Sequence, residues 1–573
     1  MYKKYEEDNF LGTKAENLIL TENWNRNKYV SFANSLFLGQ KAYTCVMQKN
    51  QNILRAEDIE IPLKIKKFIL RNLALLNGTE FVVRSSASCE DSIFFSASGQ
   101  YESFIGLKSI DEILEAIKKV YYSFLCENSL LYTSIYKINR QDAYMGIIIQ
   151  PQIQCEKAGV VFSSNPVMQD GIPFVEYSNG NGVDIVSGIK ANVSTSLKDN
   201  SDEDLQILIE FISNLKQFFK TDIDVEWGKY GDKLFIFQVR PIIFAKAKTR
   251  IEYQTIRPSV NCEIINPGYY IGKIDSVGHK YCALQNQNVQ AREIPLLLKV
   301  FAIIVNKDIK LSHLANICRE LNKSLIFSKN VFNKDNIYFI DAYEGRIFLL
   351  DKMESHIKSN IVLQYFTYFF EQYHLYSEVY KFIGIVGVEK NHRYEQVVFL
   401  DNCDEIKKRL LASGYKSLII HQKLSTYDFA DKSLIADNIE FRTNCDEQSN
   451  RIQIKQVSSI HPKFREEDEI LLKFDSIDNC KQFICSIGLQ CTGEQSRIIN
   501  RFISKDSKVV VNFIKWPNSQ EYFGVESVEQ KLINRLIENL GVPQSCISSM
   551  DGVAIFNKLK LDLKTGRLKI EEN

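Results

Sequence analysis

The chain has 573 residues, 45% of them apolar and 25% charged, with 71 basic against 70 acidic side chains. That length is too great for one hydrophobic core and predicts three or four domains, while the balanced charge gives no ground for a nucleic-acid or membrane-surface partner. Thirteen cysteines without a CxxC pair read as reduced thiols. No stretch approaches the roughly 20 apolar residues of a membrane helix, and the expectation is a cytoplasmic globular protein.

In chain order, GTKAENL (12–18) places Lys14 just before a helix. EFVVRSSASCED (80–91) starts as a strand carrying Arg84 and passes into a Ser/Ala-rich stretch suited to lie close to a ligand. DEILEAIKKVYYSFLC (111–126) has apolar positions three and four apart, a helical period. The strands MGIIIQPQI, AGVVFSSNP and FVEYSNG follow, then DVEWGKYGDKLFIFQVRPI (224–242), a hairpin turning at KYGDK. Glu226, Gln238 and Arg240 alternate along it, which puts an acid, an amide oxygen and a guanidinium on one face. Such a set suits Mg²⁺ and phosphate.

A smaller α/β segment, 255–351, begins with NPGYYIGKIDSV and closes with the strands of IYFIDAYEGRIFLL. Inside it KDIKLSHLANICRELNKSLIF (307–327) carries His313 at the start of a helical pattern. A neutral imidazole there is a competent nucleophile toward phosphorus, and a helix N-terminus would stabilise the phosphate received. Residues 352–390 read as an aromatic-rich helical connector. From 391 strands and helices alternate, with Glu395, Arg442, Lys455, Arg465, Glu467, Glu469, Arg501, Lys515 and Glu526 at strand positions. These make either a solvated sheet face or a positive groove for a polyanion, with the acids on a metal. Cys480, Cys485 and Cys491, without a nearby histidine or a fourth sulfur, read as buried small hydrophobes.

Together the first motifs resemble a known family. GTKAENL, VRSSASCED, GVVFSSNP and DVEWGKYGDKLFIFQVRP are similar, in order over about 230 residues, to motifs of the ATP-grasp domain of phosphoenolpyruvate synthases, pyruvate phosphate dikinases and rifampicin phosphotransferases. The resemblance implies an ATP-grasp domain over 1–250, with Lys14 and Arg84 on the ATP phosphates. It implies Glu226 and Gln238 as Mg²⁺ ligands (Mn²⁺ being an alternative) and Arg240 at the transferring group. Asp184, in NGVD, stands where the family has GLGE. LSHLANICRELNKSLIF resembles the same enzymes' swivelling phosphohistidine domain through Ser312, His313, Ala315, Ile317, Arg319, Glu320 and Leu321. The family's double glycine and threonine are replaced by Lys307 to Ile309 and by Leu311.

The third segment, 391–573, resembles the CYTH, or triphosphate tunnel, family in the order of its pieces. That implies an antiparallel barrel whose lumen holds a polyphosphate through Glu395, Arg442, Lys455, Arg465, Glu467, Glu469, Arg501 and Glu526. Its opening strand keeps one acid, Glu395, while Asn512 and Gly524 replace acids of the pattern. The fold expected is multidomain, mixed α/β and α+β. The function expected is a dikinase-type phosphotransferase that moves the ATP β-phosphoryl through His313 to an unidentified acceptor, a nucleotide or polyphosphate. AMP and phosphate leave, and the middle domain swings between stations. The alternatives are a nucleotide or polyphosphate sensor, and a CYTH-type triphosphatase or cyclase.

Overall fold

In the computed structural model residues 2–562 are described, apart from 51–52, 91–96, 98, 168–169, 181–192, 197–201, 243, 245–248, 254–256, 287, 291–292, 307–312, 447–448 and 551. Asp184, Ser312 and the stretch from Lys307 to Leu311 thus lie outside the described residues.

The N-terminal part contains two sheets. In the first, the strands run in the order Tyr2–Lys4, Ser35–Leu38, Met145–Pro151, Phe81–Ala87, Ser103–Leu107. MGIIIQP is buried at every position because helices cover one face and the chain around Leu11 and Ala15 covers the other. The helix Ile110–Leu125 covers the first face with Ile113, Ile117, Val120 and Phe124, and Ser109 caps it by accepting from the Glu112 amide at 3.2 Å. In the second sheet Val30–Phe32, Lys233–Pro241, Ile223–Tyr230, Lys157–Phe162, Phe174–Asn179 and Val193–Ser196 lie side by side. Leu205, Leu208, Phe211, Ile212 and Leu215 of the helix Glu203–Phe219 pack on its Val161, Val225, Trp227 and Ile236.

The helix Thr13–Trp24 touches both sheets. Its Ala15 amide donates to Ser86 Oγ (3.0 Å) and Asn17 Nδ2 to the Val239 carbonyl (3.2 Å). Gly12 precedes it at φ 85°, where a Cβ would stand 1.6 Å from the Ser86 carbonyl oxygen. Only glycine fits that turn.

The central domain has parallel strands Ile274–Asp275, Ala283–Gln285, Ala302–Val305 and Ser324–Phe327, with Glu263–Asn266 antiparallel on the last. The helices Ile294–Lys299 and His313–Glu320 are the crossovers between them. A second sheet pairs Val260–Asn261, Arg346–Leu349, Tyr338–Asp341 and Tyr269–Gly272. The helices Ser355–Leu375 and Ser377–Phe382 then lead to a strand, Ile385–Val398, that spans the expected boundary at 390.

That strand pairs with Tyr522–Ser527 on one side and Arg465–Phe474 on the other. Between those two edges come Val509–Lys515, Gln490–Ile503, Lys416–Asp428, Ile439–Cys445 and Asn450–Ile460, all antiparallel. The result is a closed eight-stranded barrel. Its outer positions pack under helices: Phe502, Val511, Phe513 and Val525 against Ile406, Leu410, Ile533 and Ile537, and Ile452, Ile454 and Leu472 against Phe483 and the connector. The C-terminal helix Gly552–Lys558 plugs one end, where Ile555, Phe556 and Leu561 meet Val397, Leu424, Ile499 and Ile514. Cys485 and Cys491 are exposed, not buried as the sequence suggested, because they stand at the end of a helix and the start of a strand that turn away from the core. Lys515 is likewise exposed: it follows Ile514 by one residue, so its side chain leaves the barrel on the outer side.

Central domain and barrel share one apolar core. Tyr281 and Phe301 stack edge-on with Phe483 at 5.4 and 6.1 Å, Phe366 meets Phe441 at 5.6 Å, and the Lys273 amide donates to the Ser486 carbonyl at 2.8 Å.

Candidate phosphoryl-transfer site

In the hairpin Ile223–Tyr230/Lys233–Pro241 the register sets Glu226 opposite Gln238 and Asp224 opposite Arg240. All four side chains are buried. Arg240 Nε lies 2.7 Å from both Asp224 oxygens, and Arg84 Nη1 donates to Glu226 Oε2 at 3.1 Å. Lys14 donates to Ser85 Oγ at 3.2 Å and pairs with the buried Glu90, whose carboxylate also accepts from the Ala87 amide. Each cation expected on phosphate is therefore paired with a buried acid.

Burial works against the Glu226 charge, but Arg84 and Arg240 hold its carboxyl below the usual range. Burial pushes Asp224 up to about 6, against the pull of Arg240. Glu226 and Gln238 are adjacent hard oxygen donors, a set that fits Mg²⁺ sharing phosphate oxygens.

His313 completes the site from the central domain. It begins the helix His313–Glu320, and the charges that act on its ring are those of Arg240, Glu226 and Lys14. Removal from water, reinforced by Arg240 and Lys14 against Glu226, brings the imidazole down to about 4. A ring so lowered is neutral through the physiological range. The sign of the linkage follows. The docked histidine binds protons less readily than a free one, so docking is favoured above pH 6.5 and weakens as pH falls toward 4. An NMR titration of the His313 ring, assigned by its loss in His313→Ala, should show no inflection near 6.5; a midpoint there would mean the ring is not held against Arg240.

The same helix carries two charged residues that sequence reasoning gave no role. Arg319 is buried, donates to Asn316 Oδ1 (2.8 Å) and the Ile265 carbonyl (3.3 Å), and feels the charges of Asp224 and Glu176. Glu320 accepts from the Tyr132 hydroxyl of the N-terminal domain, which in turn accepts from the Ala97 amide at 2.9 Å. Tyr132→Phe strands the Ala97 amide and leaves Glu320 to its second hydroxyl partner, Tyr136, a loss of about 1–3 kcal/mol. Hydrogen exchange over 313–320 should accelerate in that variant; unchanged protection would show that the contact does not hold the helix down. Asp224 and Glu90 were also missed, though the alternation of DVE and the acid after SSASC were visible signals.

The barrel lumen gathers Glu395, Arg442, Lys455, Arg465, Glu467, Glu469, Arg501 and Glu526 on the inner side of its strands, and adds Arg393 and Arg497. Arg393 donates to Glu526 (2.8 Å) and Glu469 (2.7 Å) and lies 3.8 Å from Glu467. Arg465 is 2.6 Å from both Glu395 and Glu467, and Lys455 is 3.0 Å from Glu467. Burial opposes the Glu467 charge, yet Lys455, Arg465 and Arg393 hold its carboxyl far below the usual range. Arg442, Arg497 and Arg501 bond the amide oxygens of Gln453 (2.6 Å), Gln422 (2.7 Å) and Asn512 (2.8 Å). At Gly524 a Cβ would come within 2.8 Å of Glu395 Oε1, so that carboxylate fills the space a longer residue would take.

Comparison with known proteins agrees with the first domain. Residues 9–199 match the family described as pyruvate phosphate dikinase, AMP/ATP-binding domain. The probable phosphoenolpyruvate synthase of Archaeoglobus fulgidus is 23% identical over 329 residues, 46% of this chain and 43% of that protein. The probable phosphoenolpyruvate synthase of Methanothermobacter thermautotrophicus is 20% identical over 52% of each. The rifampicin phosphotransferase of Bacillus subtilis is 20% identical over 32% of this chain and 26% of that one. The chain thus spans about half the length of these curated relatives, or less. Among solved structures, a proposed adenylate cyclase from Vibrio parahaemolyticus covers 30% of this chain and 99% of its own at 9% identity, TM-score 0.26. A proposed adenylyl cyclase from Hippeastrum, titled as having a dominant triphosphatase activity, covers 32% and 99% at 9% identity, TM-score 0.24. Closure of the barrel rests on this chain's own strand pairing. Among the described residues no helix is long and apolar enough to cross a membrane.

Proposed function

We propose that the chain is an ATP-dependent phosphotransferase of the dikinase type, with His313 as the phosphoryl carrier. The observation that carries this reading is that His313, from one domain, begins a helix within reach of the charges of Lys14, Glu226 and Arg240 of another. ATP would lie with its phosphates on Lys14, Arg84 and Arg240. Glu226 and Gln238 would hold Mg²⁺, which supplies charge neutralisation on the phosphates. An imidazole nitrogen attacks the β-phosphorus, the bond to the α-phosphate oxygen breaks, and AMP departs. Water then takes the γ-phosphoryl as inorganic phosphate, leaving the β-phosphoryl on nitrogen. Arg240, held by Asp224, would meet the charge that builds on the transferring group.

The acceptor is an unidentified phosphorylated compound, and the arginines of the barrel support a phosphate-bearing ligand there. Delivery requires His313 to leave Arg240, parting the polar contacts of Arg319 and Glu320. Incubation with ATP labelled at the β or the γ position tests the reading. Acid-labile, base-stable label from the β position, with AMP and phosphate formed in equal amounts, is the expected result. Label from γ alone, or no AMP, would overturn it.

A second reading has its own support. The apolar core shared by central domain and barrel supports it: such a core would let occupancy of the lumen bear on the domain that carries His313, as a polyphosphate or nucleotide sensor would need. Saturating the lumen would then change the rate of His313 labelling without consuming the ligand. The remaining alternative, a triphosphatase or cyclase, is disfavoured by the arginine bonded across the lumen's acids.

A further inference from the structure

A divalent cation in the barrel would need two or more of the oxygens of Glu395, Glu467, Glu469 and Glu526 at about 2.0–2.6 Å, in an open arrangement. Arg393 already occupies that arrangement, with separate nitrogens 2.7 Å from Glu469 and 2.8 Å from Glu526 and its Nε 3.8 Å from Glu467. Glu395 is taken by Arg465, which also shares Glu467 with Lys455. Gln453 Nε2 donates to the same Glu469 oxygen as Arg393, and Asn391 Nδ2 lies 3.5 Å from the other. Among the described residues no group of three acids, histidines or cysteines is arranged to hold a metal. The donor set of the lumen does not fit a metal ion; it is neutralised from within by a residue fixed on the barrel's own first strand.

The rest of the lumen is cationic. Among the described residues Arg442, Arg497 and Arg501 meet amide oxygens rather than the lumen's carboxylates, and Arg442 also reaches the rim acid Glu440, at 3.3 Å. Arg497 also lies 5.2 Å over the ring of Trp516, which Phe556 of the plugging helix backs at 4.9 Å. Burial and the like charge of Arg442 pull Arg497 down to about 10, a setting that an anion would relieve. Amide partners orient guanidinium groups without spending their charge, so bidentate capture of phosphate stays open to them.

We propose that the barrel is a metal-independent site for a phosphate-rich anion: Arg393 stands where a divalent cation would have to bind, and Arg442, Arg497 and Arg501 take the phosphates directly. This deepens the reading above, on which it rests only for placing a phosphate-bearing ligand in the barrel. The ligand chemistry is a run of linked phosphates, either inorganic polyphosphate or the triphosphate arm of a nucleotide. With its acids bonded, the lumen has no metal-activated water and holds the anion intact.

The test is calorimetric titration of the full chain with inorganic triphosphate, in EDTA and in Mn²⁺. Wild type should bind equally in both, within about twofold, and Arg497→Ala should weaken binding at least about tenfold, which assigns the heat to the barrel. Arg393→Gln leaves the carboxylates facing the anion, so its binding should drop about tenfold or more in EDTA and recover in Mn²⁺. A wild-type affinity lost in EDTA, or an Arg497→Ala variant that binds as wild type, overturns the proposal. Should Arg393→Gln fail to fold, the wild-type comparison still decides. GTP titrated in parallel separates the two ligand sources, since tighter binding than triphosphate assigns a nucleotide and weaker binding assigns inorganic polyphosphate. His313 labelling on the same samples keeps the readings apart: labelling without triphosphate binding sinks this proposal alone, and binding without labelling sinks the dikinase reading alone.

Discussion

His313→Ala should abolish β-phosphoryl labelling and AMP release together while leaving the thermal transition nearly unchanged. The charges of Lys14, Glu226 and Arg240, from another domain, act on this imidazole, and in the proposed reaction its nitrogen makes the bond to phosphorus. Removing a nucleophile outright costs several orders of magnitude in turnover. The fold does not depend on the ring, since Leu314, Ala315, Ile317 and Cys318 supply the buried face of the helix. Undiminished AMP release from the variant would show that ATP is cleaved by water at a different group, and the carrier role would fall.

Arg240→Met should lose activity and stability at once, for separable reasons. Its guanidinium bonds both oxygens of the buried Asp224. Breaking one side of such a pair leaves an uncompensated buried charge, a loss of about 3–5 kcal/mol. Asp224 already titrates at about 6, raised by burial, and without Arg240 it rises further. The unfolded state is common to both chains, so the deficit against wild type opens only above about pH 6, where wild-type Asp224 ionises beside Arg240 and the variant's does not, and it grows as pH climbs from there. Asp224→Asn in the same chain removes the charge and should restore most of the stability. Labelling should stay about 10²–10³ below wild type in the double variant, because the donor at the transferring phosphoryl is still missing. Denaturant unfolding at several pH values, with labelling measured beside it, checks both halves. Recovery of labelling in the double variant would reduce Arg240 to a structural partner of Asp224.

Much of this was legible in residue order. The hairpin 224–242 was readable because two apolar strands flank KYGDK, and period two alone fixed Glu226, Gln238 and Arg240 on one face. Lys14 was marked by a glycine ahead of a helical run, and that glycine proves sterically obligatory. The strands of the third domain were likewise visible from their alternation. Other features had no local signal. Arg319 and Glu320 match the carrier motif by residue type, but what they meet, the Ile265 carbonyl and the Tyr132 hydroxyl, is set only by the folded chain. Cys485 and Cys491 are apolar by residue type, but exposure depends on which way the neighbouring elements turn.

By itself, then, the sequence determined the chemistry available: a cradle of cations and acids, a histidine at a helix start, and a barrel with alternating charges. These follow from local periodicity and residue type. Tertiary structure alone decided what each charge does. Which acid meets which cation depends on strand register and on the closing of the barrel, contacts between residues 76 and 133 positions apart in the case of Arg393. Coulomb energy depends on distance in space and on the water removed around a pair, and neither is written in the order of the chain. The same physics set His313 among groups more than seventy residues away and made it neutral.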